Sequence, residues 1–129
     1  MEYTEFMKLV QQEIGVKDTE KALRAVQATL ETLGERLFHG EAEQLAAQLP
    51  QELQPFLVDI QEHRKFGVED FLQMVGEREG IDGKEAEAHA RAVISVLTRA
   101  VTPGEIQDVV SQLPEGFRKL FGEESKTVH

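Results

Sequence analysis

The sequence predicts an all-α protein: two tandem copies of a four-helix unit, packed as one pseudo-two-fold helical bundle. Three observations carry that expectation. Leu23, Val26, Leu30, Leu33 and Leu37, and in the second half Ala86, Ala90, Val93, Leu97 and Ala100, step by three and four, so each set lines one face of a long helix. No segment alternates apolar and polar residues with period two, as a half-buried strand would. Motifs also return in the same order. Phe6-Met7-x-x-Val10 leading to Gly15-Val16 reappears as Phe71-Leu72-x-x-Val75 leading to Gly80-Ile81. Arg24-Ala25-Val26 reappears as Arg91-Ala92-Val93, Gly40-Glu41 as Gly104-Glu105, and Gln48-Leu49-Pro50 as Gln112-Leu113-Pro114, offset by 64 to 67 residues. Such a period indicates a duplicated unit whose copies cover each other's apolar faces.

Each element has a local reason. The first helix runs from about Thr4 to Ile14 and turns Phe6, Val10 and Ile14 inward; its counterpart runs from about Glu69 to Arg78 with Phe71, Leu72 and Val75. Gly15 and Gly80 stand where a helix favours a left-handed residue just past its end. Asp18 and Asp82 are N-caps for the long helices, and Asp82-x-x-Glu85 has capping-box spacing. Thr102-Pro103-Gly104-Glu105 combines a cap, a proline at the first helical position and a third-position glutamate. The third helices carry Leu45 and Leu49, or Ile106, Val109, Val110 and Leu113. Pro50 and Pro114 break them, and each opens a short final helix ending in Phe56-Leu57 or Leu120-Phe121. Pro55 lacks a donor, so the segment after Pro50 reads as two short turns. The domain expectation is one unit over 1–129: repeat 1 at 3–57, a charged, solvated linker at 58–67, repeat 2 at 68–121, and a disordered tail at 122–129.

At 129 residues the chain is of single-domain size. A half of about 60 residues would bury only about 60% of its unfolded surface, which favours one shared core. The absence of cysteine excludes disulfides and thiolate chemistry and fits a reducing cytosol. No basic-then-apolar leader opens the chain, and no apolar run approaches the ~20 residues of a membrane span; a cytoplasmic location is expected. The formal net charge of −10 repels phosphate backbones and anionic lipid, so neither nucleic acid nor membrane is an expected partner.

Candidate chemistry is sparse. Glu35/His39 and Glu85/His89 are i,i+4 pairs on the long helices, the right residue types for a metal site. The Glu-x-x-His spacing of di-iron bundles is absent, and Glu35 and His39 read as solvent-facing, about 200° from the core stripe. Ser95, Ser111 and Ser125 lie outside any Gly-x-Ser-x-Gly turn, and no phosphate loop follows Gly76, Gly80 or Gly83. Arg24 and Arg91 read first as solvated or salt-bridged surface arginines, with equivalent carboxylate pairing across the pseudo-two-fold as the alternative. Glu41, Glu43, Glu52, Asp59, Glu62, Glu69, Asp70, Glu77, Glu79 and Glu105 read as an acidic face. No catalytic, cofactor-binding or metal residue is assigned and no cofactor is expected.

The Phe-x-x-x-Val helix, the Ala-Val-x-x-x-Leu stretches (Ala25-Val26…Leu30; Ala92-Val93…Leu97), the Gly-Glu starts and Gln-Leu-Pro together resemble DUF2267, a family of small bacterial proteins of unknown function, over roughly residues 3–121. The resemblance implies two all-helical repeats and a bacterial, cytosolic setting, and it brings no catalytic residues. Members often carry an aromatic-rich stretch ending in Gly-Trp after the first copy, where this chain has Val58-Asp59-Ile60. The expected function is a non-catalytic helical interaction module, binding another protein or itself. The alternative is small-ligand binding or enzyme activity in the groove between the repeats, using Arg24, Arg91 and nearby carboxylates.

Overall fold

Helix ends are set by the caps in the order the sequence places them. The structure, a computed structural model describing residues 1–122, is all-helical over those residues. It comprises α1 (Tyr3–Ile14), α2 (Thr19–Arg36), α3 (Glu41–Ala46), a 3₁₀ turn (Gln51–Leu53) and α4 (Gln54–Val58), then α5 (Val68–Glu79), α6 (Gly83–Ala100), α7 (Pro103–Ser111) and a second 3₁₀ turn (Glu115–Phe117). The tail expectation, beyond Gly122, falls outside the described residues. Gly15 and Gly80 end α1 and α5 at φ 84° and 74°. The Asp18 side chain accepts from the Glu20 and Lys21 N–H groups, Asp82 from Glu85 N–H at 2.8 Å, and Thr102 Oγ1 from Glu105 N–H. Two third-helix details differ from expectation. Leu49 and Leu113 lie past the ends of α3 and α7; in addition, among the described residues, the chain after Pro114 makes one 3₁₀ turn with no following helix.

One apolar cluster draws on every element. Phe6, Phe71 and Phe117 are completely buried, and Phe71 meets Phe117 edge-on with ring centroids 5.4 Å apart. Aromatic pairs in this geometry gain about 0.5–1.5 kcal/mol beyond their buried area. The long helices α2 and α6 touch each other; α5 packs on both, as does α1.

The burial pattern fixes a register that differs from the motif match. Residues 19–33 of α2 and 83–97 of α6 have the same burial class at every position, with a constant offset of 64. Ala22 pairs with Ala86, Leu30 with Ile94, Leu33 with Leu97. In this register Arg24 corresponds to Ala88 and Arg91 to Gln27, so the two arginines are not equivalent. The Arg-Ala-Val match is a slip of three residues along one helix, close to a full turn, and therefore preserves the facing of its apolar residues.

The match ends at Gly34-Glu35-Arg36, buried, against Thr98-Arg99-Ala100, which are partly or fully exposed. The difference comes from segment 59–67, which falls within the expected linker at 58–67 and keeps most of its residues exposed. It is a strap across the end of α2. Arg64 N–H donates to the Glu35 carbonyl at 2.9 Å, Arg36 Nε donates to the Phe66 carbonyl at 2.8 Å, and His63 Nδ1 lies 3.0 Å from the Gly34 carbonyl. The Phe66 ring receives both the Arg36 and Arg64 guanidinium groups, at 5.9 and 5.6 Å.

Candidate functional site

Glutamates expected on the surface are the groups the fold encloses. Glu35 is buried, and the expectation that it faces solvent is corrected: the strap and α5 cover that side of α2. Arg64 Nε donates to Glu35 Oε2 at 2.7 Å, and Arg78 Nη2 to Oε1 at 3.0 Å. Arg78 also donates to Thr32 Oγ1 at 2.6 Å. Burial opposes ionisation of Glu35, but its two arginine partners outweigh it and hold the carboxyl below its ordinary range. His39 is exposed, lies beyond the end of α2 and adopts φ 60°, so Glu35 and His39 never formed a helical pair. Glu85 and His89 do share α6, with Nε2 and Oε2 3.7 Å apart. The nearer partner of His89 is Glu79 of α5, Nδ1 to Oε1 at 2.8 Å, in a pair whose side chains are 4% and 2% exposed. Burial raises the Glu79 carboxyl; the His89 contact partly offsets this, Glu85 adds to it, and Arg24 opposes it.

The sharpest convergence lies between the N-terminal turns of α3 and α7, which pack together. Thr102 caps α7 and Pro103 starts it, which points Glu105 back toward α3; Gly40, at φ 79°, starts α3 directly into Glu41. Glu41 is 8% exposed and Glu105 7%, so neither belongs to the acidic face. One oxygen from each, together with one from Asp108, all lie within 4.8 Å of one another. With both carboxyls ionised, Glu41 Oε2 and Glu105 Oε2 are enclosed without a hydrogen-bond donor; a proton on one lets it bond to the other. Burial, then the Glu41 hydrogen bond and charge, then Asp108, push the Glu105 carboxyl up to about 7. Such a cluster can share a proton or accept a hard cation.

Sequence reasoning treated Gly40-Glu41 and Gly104-Glu105 as helix starts. The available signal was that a charged residue recurs in a repeat whose other members pack. Arg24 and Arg91 are not gathered at this site: both are exposed, and Arg91 pairs with Glu87 one turn away at 2.9 Å.

The repeated glutamines have a role that was not foreseen. Phe38 N–H donates to Gln112 Oε1 at 2.9 Å and Gln112 Nε2 donates to the Phe38 carbonyl at 3.1 Å. Thr102 N–H donates to Gln48 Oε1 at 2.8 Å. Each glutamine crosses to the other half of the chain.

Among known proteins, the family described as uncharacterized conserved protein (DUF2267) matches residues 3–120. Comparison with curated proteins finds no matching relative.

Proposed function

We propose that this chain, which belongs to the DUF2267 family, is a cytoplasmic, non-catalytic interaction module made of two copies of one helical unit related by a pseudo-two-fold axis. Support for the axis comes from reciprocity. Gln48 receives Thr102 and Gln112 receives Phe38, and each member of one pair lies 64 residues from its counterpart in the other. A two-fold contact is returned in this way, and Glu41 against Glu105 is what equivalent residues do beside the axis.

The observation carrying the functional reading is where the repeated residues are spent. Phe6 and Phe71, Val10 and Val75, Leu49 and Leu113 are buried, and the glutamines join the halves. What remains outside is charge, at a formal net −10, and among the described residues Met1 alone of the large apolar side chains is exposed. That surface suits a polypeptide with a basic face. It repels nucleic acid and anionic lipid, and no helix among the described residues is long and apolar enough to cross a membrane. A second copy carries the same charge, so self-association is the weaker form of this reading. Light scattering across a concentration series, with and without a Lys/Arg-rich peptide, tests it. Salt-sensitive complex formation is expected. A strict monomer indifferent to the peptide at low salt would overturn the reading.

A second reading rests on two adjoining grooves of about 440 and 460 Å³, both lined by Arg91, Lys119 and Leu120, the second reaching Glu13 of α1. Arg91 and Lys119 suit a small anionic ligand, which would compete with Glu87, already paired to Arg91, and with Glu115 and Glu13 on the groove walls. Arg24 does not line either groove. A rise in thermal midpoint with a phosphorylated or carboxylated metabolite, lost in Arg91→Ala, would favour this reading by mass action.

A further inference from the structure

We propose that Glu41, Glu105 and Asp108 form a binding site for a hard divalent cation, Ca²⁺ or Mn²⁺, at the junction of α3 and α7. Three oxygens, one per carboxylate, lie within 4.8 Å of one another. Three oxygens that lie this close together share a central point no more than about 2.8 Å from each, a little beyond the 2.3–2.6 Å of a Ca²⁺–oxygen bond. The three donors therefore already stand within reach of one ion, and side-chain adjustment alone completes the approach. Mg²⁺ demands near-ideal octahedral geometry, dehydrates reluctantly and is usually held by one or two carboxylates, so it suits a three-carboxylate site less well. An all-carboxylate donor set also disfavours Zn²⁺ and Cu²⁺, which prefer nitrogen and sulfur.

A second observation points to a ligand. With both carboxyls ionised, Glu41 Oε2 and Glu105 Oε2 are enclosed without a hydrogen-bond donor, in residues only 8% and 7% exposed. An enclosed carboxylate oxygen without a donor is costly, and a cation supplies the missing partner. The neighbouring charges that act on Glu105, from Glu41 and Asp108, are both negative, so a cation relieves repulsion along with desolvation. Asp108 is exposed, which leaves a solvent side for ion entry and for the waters that fill the coordination shell.

The test uses the full chain, stripped with chelator, at pH 8 and constant ionic strength. Thermal unfolding is followed while CaCl₂ or MnCl₂ is titrated, and Mn²⁺ binding is counted by electron paramagnetic resonance. The wild type should show one bound Mn²⁺ and a midpoint that rises with the logarithm of cation concentration. Asp108→Asn changes an exposed residue and keeps the fold; it should weaken binding at least the roughly tenfold that losing even an outer-shell partner costs. Glu105→Gln should abolish the cation response while melting no lower than the metal-free wild type. The proposal is overturned if the wild type does not respond up to about 10 mM, an order above the weakest ordinary Ca²⁺ modules. It is equally overturned if wild type, Asp108→Asn and Glu105→Gln respond alike, because the ions would then be held by general surface carboxylates.

Discussion

Gln112 takes both backbone polar groups of Phe38: its carbonyl oxygen accepts from the Phe38 N–H and its amide nitrogen donates to the Phe38 carbonyl, at 2.9 and 3.1 Å. Phe38 follows the end of α2, where no helical partner remains for its N–H, so a side chain from the other half substitutes and shares the carbonyl with the Glu41 N–H. Gln112→Ala would strand the part-buried Phe38 N–H, while the Phe38 carbonyl keeps the Glu41 N–H at 3.1 Å, and a loss of about 1–3 kcal/mol is expected. Gln48→Ala removes a single exposed bond to Thr102 and should cost less, about 0.5–1 kcal/mol. Urea denaturation of the two variants measures the difference. Equal losses would show that the bidentate contact adds nothing.

Gly34 is required by contact with α4. A Cβ there would collide with the backbone carbonyl of Leu57, and backbone yields less readily than a flexible side chain. Gly34→Ala should destabilise by at least about 2 kcal/mol, as overpacking does. Gly83→Ala is the control. It has open space at the start of α6 and should be neutral or stabilising by a few tenths of a kcal/mol. A Gly34→Ala protein as stable as this control would contradict the packing of α4 on α2.

Glu105 makes stability depend on pH. Its carboxyl lies near 7 in the folded protein against an ordinary 4.5, so between these values the folded state holds a proton that the unfolded chain releases. The contribution is fully present below about pH 4.5 and is lost as pH rises through 7. In metal-free buffer Glu105→Gln should remove this slope and exceed the wild type at pH 8 by an amount on the order of 2 kcal/mol. Denaturation midpoints at pH 5, 6, 7 and 8 decide it; parallel curves for the two proteins would refute it.

Glu35 has the opposite sign. Its carboxyl is lowered by Arg64 and Arg78, so its contribution is present above the unfolded value and disappears as pH falls through the folded one. Glu35→Gln should cost about 1–2 kcal/mol at pH 7. The figure is discounted because the Arg64 side chain is 57% exposed. Amide exchange should also quicken in residues 59–67 as the strap loses its anchor. An unchanged strap would mean that the Arg36–Phe66 contacts hold it alone.

What the sequence determined by itself was local. Asp18, Asp82 and Thr102 start helices and Gly15 and Gly80 end them because caps act through hydrogen bonds and dihedral angles within a few residues. The helical class followed from apolar periodicity for the same reason. Tertiary structure decided which glutamates are enclosed. Glu35 looked solvent-facing on its own helix and is covered by a strap from residue 59 onward; Glu41 and Glu105 looked like ordinary first-turn acids and meet across the two halves. Helical spacing says which side of a helix is apolar, but burial of the remaining sides depends on segments dozens of residues away, and their placement is set by packing. The three-residue slip between Arg24 and Arg91 has the same origin. A shift of nearly one turn leaves the apolar stripe almost unchanged, so only the helix ends and the neighbours they contact distinguish the true register.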